Sequence, residues 1–80
     1  MPTVLRIGSY CFFFYANEGS EPVHIHVQVG RCLAKFWLQP VVLASSSGFA
    51  ARELTKLLGL VREHERLFKE AWHEFFNAAR

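Results

Sequence analysis

The segment 23–29 alternates strictly between apolar and polar residues, and this pattern constrains the fold more than any other part of the chain. A period of two residues is typical of a β-strand that packs one face on a core and keeps the other face polar. The apolar positions are Val23, Ile25, Val27 and Val29, and the polar positions are His24, His26 and Gln28. We therefore expect a strand whose two histidines point to the same side.

A second apolar run at 32–38 follows directly after Gly30-Arg31, a Gly-X pair that suits a two-residue type II′ hairpin turn. A turn of that length fixes the register of the two strands. On one face it pairs Val29 with Cys32, Val27 with Ala34, Ile25 with Phe36 and Val23 with Leu38. On the other face it pairs Gln28 with Leu33, His26 with Lys35 and His24 with Trp37. The first set is entirely apolar, so the hydrophobic pattern supports the register that the turn predicts.

Three other segments have the composition of strands. Residues 3–7 and the aromatic run 10–16 flank Gly8-Ser9, which is a second candidate hairpin turn. Residues 41–44 follow Pro40 and suit a short edge strand, and residues 45–48 read as a serine-rich linker. The sequence thus predicts a small antiparallel sheet of four or five strands over residues 3–44.

The hydrophobic period changes from two to 3.6 residues after position 48, which indicates helix. The apolar stripe consists of Leu54, Leu57, Leu58, Val61, Phe68, Trp72, Phe75 and Ala79. Glu65 interrupts this stripe and Gly59 weakens a helix interior, so one long helix or a bent pair over residues 48–78 are both open. We expect a single α+β domain over residues 1–80, in which the helical segment covers the apolar face of the sheet and leaves His24 and His26 open to solvent.

Composition excludes several classes of protein. A hydrophobic fraction of 51% excludes a disordered polar chain, and a net charge of +2 gives no overall footprint for nucleic acid. The apolar run at 10–16 is far shorter than the roughly 20 residues that span a bilayer. The N-terminus shows no pattern of an export signal, so we expect a cytoplasmic protein without a membrane partner.

The histidine pair is the candidate site, and its residues admit three interpretations. His24 and His26 could act as general base and acid on RNA, with Lys35 and Arg31 stabilising the charge of the phosphate. The pair could instead bind zinc, with a third ligand from Glu21, His64 or His73. It could also be a polar binding surface on which the imidazoles stack against Trp37. Glu21, Trp37 and His73 are the candidate binding residues, and no cofactor is expected unless zinc binds.

The chain resembles a family of small bacterial proteins of unknown function. The most specific part is the run Glu21-Pro22-Val23-His24-Ile25-His26-Val27, followed by Ala71-Trp72-His73-Glu74-Phe75-Phe76 near the C-terminus. Further matching segments are 1–4, 6–8, 12–15, 17–18, 34–38, 40–41 and 51–54. Members of this family are typically encoded beside a second small protein, which implies a toxin–antitoxin-like pair.

The resemblance implies a cognate protein partner and favours the role of toxin over that of antitoxin. For a toxin, RNA cleavage without a metal is the mechanism that best suits the histidine pair. The alternatives are a non-enzymatic module for protein binding or dimerisation, and a small metal-binding protein. A homo-oligomer, a complex with the cognate partner, or both are expected, with RNA as a further candidate partner.

Overall fold

Five antiparallel strands precede two helices in the computed structural model, which describes residues 2–78. The strands are β1 (Thr3–Ile7), β2 (Tyr10–Phe13), β3 (His24–Val29), β4 (Cys32–Leu38) and β5 (Val41–Ser47), and the helices are α1 (Ala51–Glu63) and α2 (Glu65–Ala78). The predicted α+β class is confirmed. Met1, Ala79 and Arg80, which complete the expected domain and its apolar stripe, lie outside the described residues.

The sheet is a meander in which each strand pairs with its neighbour in sequence, in the order β1-β2-β3-β4-β5. Both predicted two-residue turns form, since Ile7 pairs with Tyr10 and Val29 pairs with Cys32. Gly8 and Gly30 each have a φ of 56°, and no residue other than glycine has a positive φ in the described part of the chain. A positive φ at the first turn position alone is the signature of type II′.

The register between β3 and β4 is confirmed at each pair from His24–Trp37 to Val29–Cys32. Three strand boundaries differ from the prediction. β3 begins at His24, so the predicted pair of Val23 with Leu38 lies just outside the strand, where Leu38 donates its N–H to the carbonyl of Val23. β2 ends at Phe13, because the chain turns after Phe14 through a hydrogen bond from the N–H of Glu18 to the carbonyl of Tyr15. β5 runs to Ser47.

The prediction of a linker at residues 45–48 is therefore wrong for its first three residues. Ser45, Ser46 and Ser47 pair with Lys35, Ala34 and Leu33. A long neighbouring strand supplies hydrogen-bond partners to the whole segment, and this backbone pairing outweighs the weak strand preference of serine. The sheet accordingly covers residues 3–47.

The core forms where the apolar face of the sheet meets the helices. The fully buried strand residues of this core are Phe12, Ile25, Val27, Phe36 and Leu38, and the helices add Leu57, Val61 and Phe68. The ring of Phe12 stacks on Phe68 with centroids 5.2 Å apart. The prediction that the helices cover the apolar face is confirmed.

The helical segment is broken at His64, so the bent alternative is correct. His64 caps α1 by donating both its backbone N–H and its Nδ1–H to the carbonyl of Leu60, at 3.1 Å and 3.0 Å. Phe68 N–H then bonds to the carbonyl of His64 as α2 begins. Over residues 2–78, neither helix has the length and apolar character needed to cross a bilayer.

Candidate functional site

His24 and His26 lie side by side on β3, as the alternating pattern predicts, but both are buried. His24 has no exposed surface and His26 is 7% exposed. The expectation that the pair faces solvent is wrong because two elements cover it. The β2–β3 loop (residues 14–23) folds back over this face, and Trp72 of α2 packs on His24 with ring centroids 4.7 Å apart.

The carboxylate of Glu18 is the group on which both histidines converge. His24 Nε2 lies 3.0 Å from Glu18 Oε1, and His26 Nε2 lies 3.1 Å and 3.0 Å from the two oxygens. The backbone N–H of Tyr15 donates to Oε1 at 2.8 Å and fixes the carboxylate within its own turn. Glu18, and not Glu21, His64 or His73, is therefore the third side chain beside the two histidines that could bind a metal.

The tautomer of His24 follows from its second nitrogen. Nδ1 lies 2.9 Å from the carbonyl oxygen of Pro22, and a carbonyl only accepts, so Nδ1 carries a hydrogen. In a neutral ring, Nε2 then presents its lone pair toward Glu18. Although the distance is short, Nε2 has no hydrogen bond of good geometry and is fully buried. A lone pair beside a carboxylate is favourable only when a cation, either a proton or a metal ion, lies between them.

His26 lies in an aromatic pocket. Its ring stacks on Phe13 at 5.3 Å and meets Tyr15 edge-on at 4.9 Å. Its Nδ1 is buried without a partner. Burial is the main cause that holds the pKa of His26 below its ordinary value; Glu18 opposes this shift, and the charges of His24 and Lys35 add to it.

The ionisation of Glu18 reflects the same surroundings. Burial raises the pKa of this carboxyl, but the N–H of Tyr15 and the two histidines together outweigh burial. The pKa of Glu18 therefore lies below its ordinary value, and the group is anionic at neutral pH.

The geometry fits a metal ion. The three candidate ligand atoms of Glu18, His24 and His26 all lie within 4.8 Å of one another. In a tetrahedral site with metal–ligand bonds near 2.1 Å, neighbouring ligand atoms are roughly 3.4 Å apart. Small movements of the side chains are enough to admit a cation. Among residues 2–78, these three residues are the group of potential metal ligands whose ligand atoms lie this close together.

The other candidate residues divide into neighbours of the histidines and distant groups. Lys35 Nζ lies 2.7 Å from Glu21 Oε1 and 4.4 Å from the ring centroid of Trp37. Trp37 in turn meets the ring of His24 edge-on at 5.6 Å. Lys35, Glu21 and Trp37 therefore flank the histidine pair, and the salt bridge with Glu21 compensates the charge of Lys35.

Arg31 and His73 do not join the pair. Arg31 is exposed in the turn at the far end of β3, which the rise of a strand places about 20 Å from His24. His73 is exposed, although its neighbour Trp72 contacts His24.

Sequence reasoning missed Glu18 because it depends on the alignment of β2 with β3. Phe13 pairs with His26, so the chain that leaves β2 must return across the histidines. Since the run 10–16 is apolar at every position, its pattern does not reveal this register. The usable signal was the loop itself, which carries only two carboxylates and connects adjacent antiparallel strands.

Comparison with known proteins shows a family relationship. Residues 9–73 match the profile of a family described as a domain of unknown function (DUF4160). This match includes Glu18, His24 and His26. No curated protein and no solved structure matches the chain.

Proposed function

We propose that this chain, which belongs to the DUF4160 family, is a small metal-binding protein that holds one divalent cation between Glu18, His24 and His26. One observation carries the proposal. Two buried imidazole Nε2 atoms approach one carboxylate to 3.0 Å, while the Nδ1–H of His24 is bonded to a backbone carbonyl. Metal-binding histidines almost always donate their other ring N–H in this way, which orients the free lone pair toward the metal.

The ligand set selects the type of metal. Imidazole suits zinc and other first-row transition metals, whereas calcium and magnesium prefer sites made of oxygen ligands. Two histidines and one glutamate are also the ligands of one common class of catalytic zinc site, in which water completes the coordination. A cation bound here would act as a Lewis acid and lower the pKa of bound water. Zinc is therefore the first probe.

The competing explanation places a proton where the metal would be. His24 would then be an imidazolium that is buried beside the anionic Glu18. Such a pair is a structural feature, and its burial costs free energy that the attraction of the two charges only partly offsets. The two explanations differ in one measurable respect, because a protonated pair retains no metal.

The test is zinc binding by the purified chain after treatment with a chelator. Calorimetry and native mass spectrometry should show one zinc ion per chain. His24→Ala, His26→Ala and Glu18→Gln should each lose this binding. His73→Ala is the matched control, since it removes an exposed histidine and should leave the affinity unchanged.

Two outcomes would reject the proposal. The first is a folded wild-type chain that retains neither zinc nor cobalt. The second is an equal loss of binding in His73→Ala and His24→Ala, which would indicate unspecific binding to histidine.

The role of a toxin in a two-protein module stays a prediction from the resemblance, the cytoplasmic location stays one from the N-terminus, and action on RNA stays one from the histidine pair. A metal-free mechanism requires His24 to reach the substrate, yet this ring has no exposed surface. Growth inhibition on expression, compared with that of the His24→Ala/His26→Ala double variant, tests the dependence of toxicity on the pair. Light scattering, alone and with the product of the neighbouring gene, tests the predicted homo-oligomer and heteromeric partner.

A further inference from the structure

We infer that the last turns of α2 regulate the metal site, because they hold the loop that carries Glu18 and the ring of His24 in the ligating position. This inference rests on the proposed metal-binding function. It adds that metal occupancy and docking of the helix end control each other.

The first contact joins α2 to the loop beside Glu18. A Cβ atom built on Gly19 would lie 2.6 Å from Cδ1 of Phe76 and 3.0 Å from its Cε1. The ring of Phe76 therefore lies directly against the backbone of the residue that follows Glu18. Any movement of this ring changes the space available to the loop.

The second contact joins α2 to the other side of the site. The ring of Trp72 lies 4.7 Å from that of His24 and 4.4 Å from that of Phe76. Phe14, at the start of the loop, meets Trp72 at 5.3 Å and Phe76 at 5.4 Å. One aromatic cluster (Phe14, Trp72 and Phe76) thus connects the start and the middle of the loop with the ring of His24.

The last turn of α2 is packed less deeply than the turns before it. α2 is anchored near its start by Phe68, which is fully buried against Phe12. Trp72 also belongs to the core, whereas residues 73–75 and 77 are exposed and Phe76 is half-buried, so opening concerns the last turn around Phe76. Local opening of helix ends requires far less free energy than global unfolding.

Linkage determines the direction of the effect. If docking of the helix end raises the affinity for zinc by a given factor, bound zinc must favour the docked helix end by the same factor. Without the metal, the buried Nε2 of His24 faces a carboxylate and weakens the docked state. With the metal, this contact becomes favourable and the C-terminal turns close over the site.

The experiment compares zinc affinity in the full chain. Phe76→Ala should weaken binding about 10- to 100-fold, the range typical of residues that position a metal ligand. Leu67→Ala is the matched control, because Leu67 lies on the same helix, is 42% exposed and should change the affinity by less than about threefold. Gly19→Ala should act in the same direction as Phe76→Ala, since the new methyl group pushes against the ring.

The reverse coupling is measured on the wild-type chain by amide hydrogen exchange. Zinc should slow exchange at residues 70–77, and His24→Ala should abolish that protection. Because it uses the wild-type chain, this measurement tests the coupling even if Phe76→Ala does not fold.

The outcomes separate the two claims. If the wild type binds zinc but zinc leaves exchange at residues 70–77 unchanged, the coupling is refuted and metal binding stands. A folded Phe76→Ala variant with wild-type affinity refutes it as well. A wild type that binds no metal refutes the proposed function, and the coupling with it.

Discussion

Both carboxylate oxygens of Glu18 face the same ring nitrogen of His26, at 3.1 Å and 3.0 Å from Nε2. The loop and the central strand are thereby joined through a single side chain. His24 is the third member of this contact, and its Nε2 approaches one of the same oxygens. Glu18 should therefore matter for stability as well as for metal binding.

Glu18→Ala should lower the free energy of unfolding of the metal-free protein by about 1–3 kcal/mol, because it leaves the buried Nε2–H of His26 without its acceptor. Urea denaturation in the presence of a chelator measures this effect. Glu63→Ala is a suitable control, since Glu63 is exposed and should change stability by less than about 0.5 kcal/mol. Equal effects of the two substitutions would show that the contact is not stabilising.

The ring of His24 should be the Nδ1–H tautomer in the metal-free protein whenever it is neutral, because Pro22 accepts that hydrogen. Long-range ¹⁵N–¹H NMR spectra distinguish the two tautomers directly. Addition of zinc should shift the ¹⁵N resonances of Nε2 in His24 and His26 and leave the ring resonances of the exposed His73 unchanged. A hydrogen found on Nε2 of neutral His24 would contradict the hydrogen bond to Pro22.

Two glycines should respond to alanine with opposite signs. Gly30 has a φ of 56° in its turn, so Gly30→Ala should destabilise the protein by about 1 kcal/mol. Gly59 lies inside α1 with no atom within 4 Å of an added Cβ, so Gly59→Ala should stabilise it by about 1 kcal/mol. Thermal and urea unfolding of both variants test this pair. Changes of the same sign would contradict the assigned backbone geometry.

Tyr10 should ionise above the ordinary pKa of a tyrosine. Burial is the main cause, and the hydrogen bond to Glu53 at 3.1 Å and the charge of Glu53 add to it. Because the folded state disfavours the phenolate, the stabilising contribution of Tyr10 is fully present below pH 10 and is lost as the pH rises through the raised pKa.

Ultraviolet titration of the wild type and Tyr10→Phe separates Tyr10 from Tyr15. Glu53→Gln should move the pKa of Tyr10 down toward 10, since it removes the nearby negative charge. An unchanged pKa would mean that Glu53 does not act on this phenol.

The β3–β4 hairpin could be predicted in detail because two independent signals agree. The turn Gly30-Arg31 sets the loop length, and the alternation at 23–29 sets the faces. Elements with only one signal were predicted less well. The run 10–16 is uniformly apolar, so its end could not be located, and the serines of β5 have little strand preference of their own.

For the site, the sequence showed that His24 and His26 share a face, because strand periodicity alone determines this. It did not show their burial, which comes from a loop and from Trp72, a residue distant in sequence. Glu18 was missed for the same reason. Contacts made by irregular loops and by helix ends depend on tertiary packing, which has no periodic signature.

The meander order of the sheet also bears on how the chain folds. Since each strand pairs only with its neighbours in sequence, successive hairpins can form from short segments of chain. Short loops lower the entropy lost on closure, and proteins with such local contacts fold faster than those that join distant strands. We therefore expect the sheet to form rapidly for a β-rich protein.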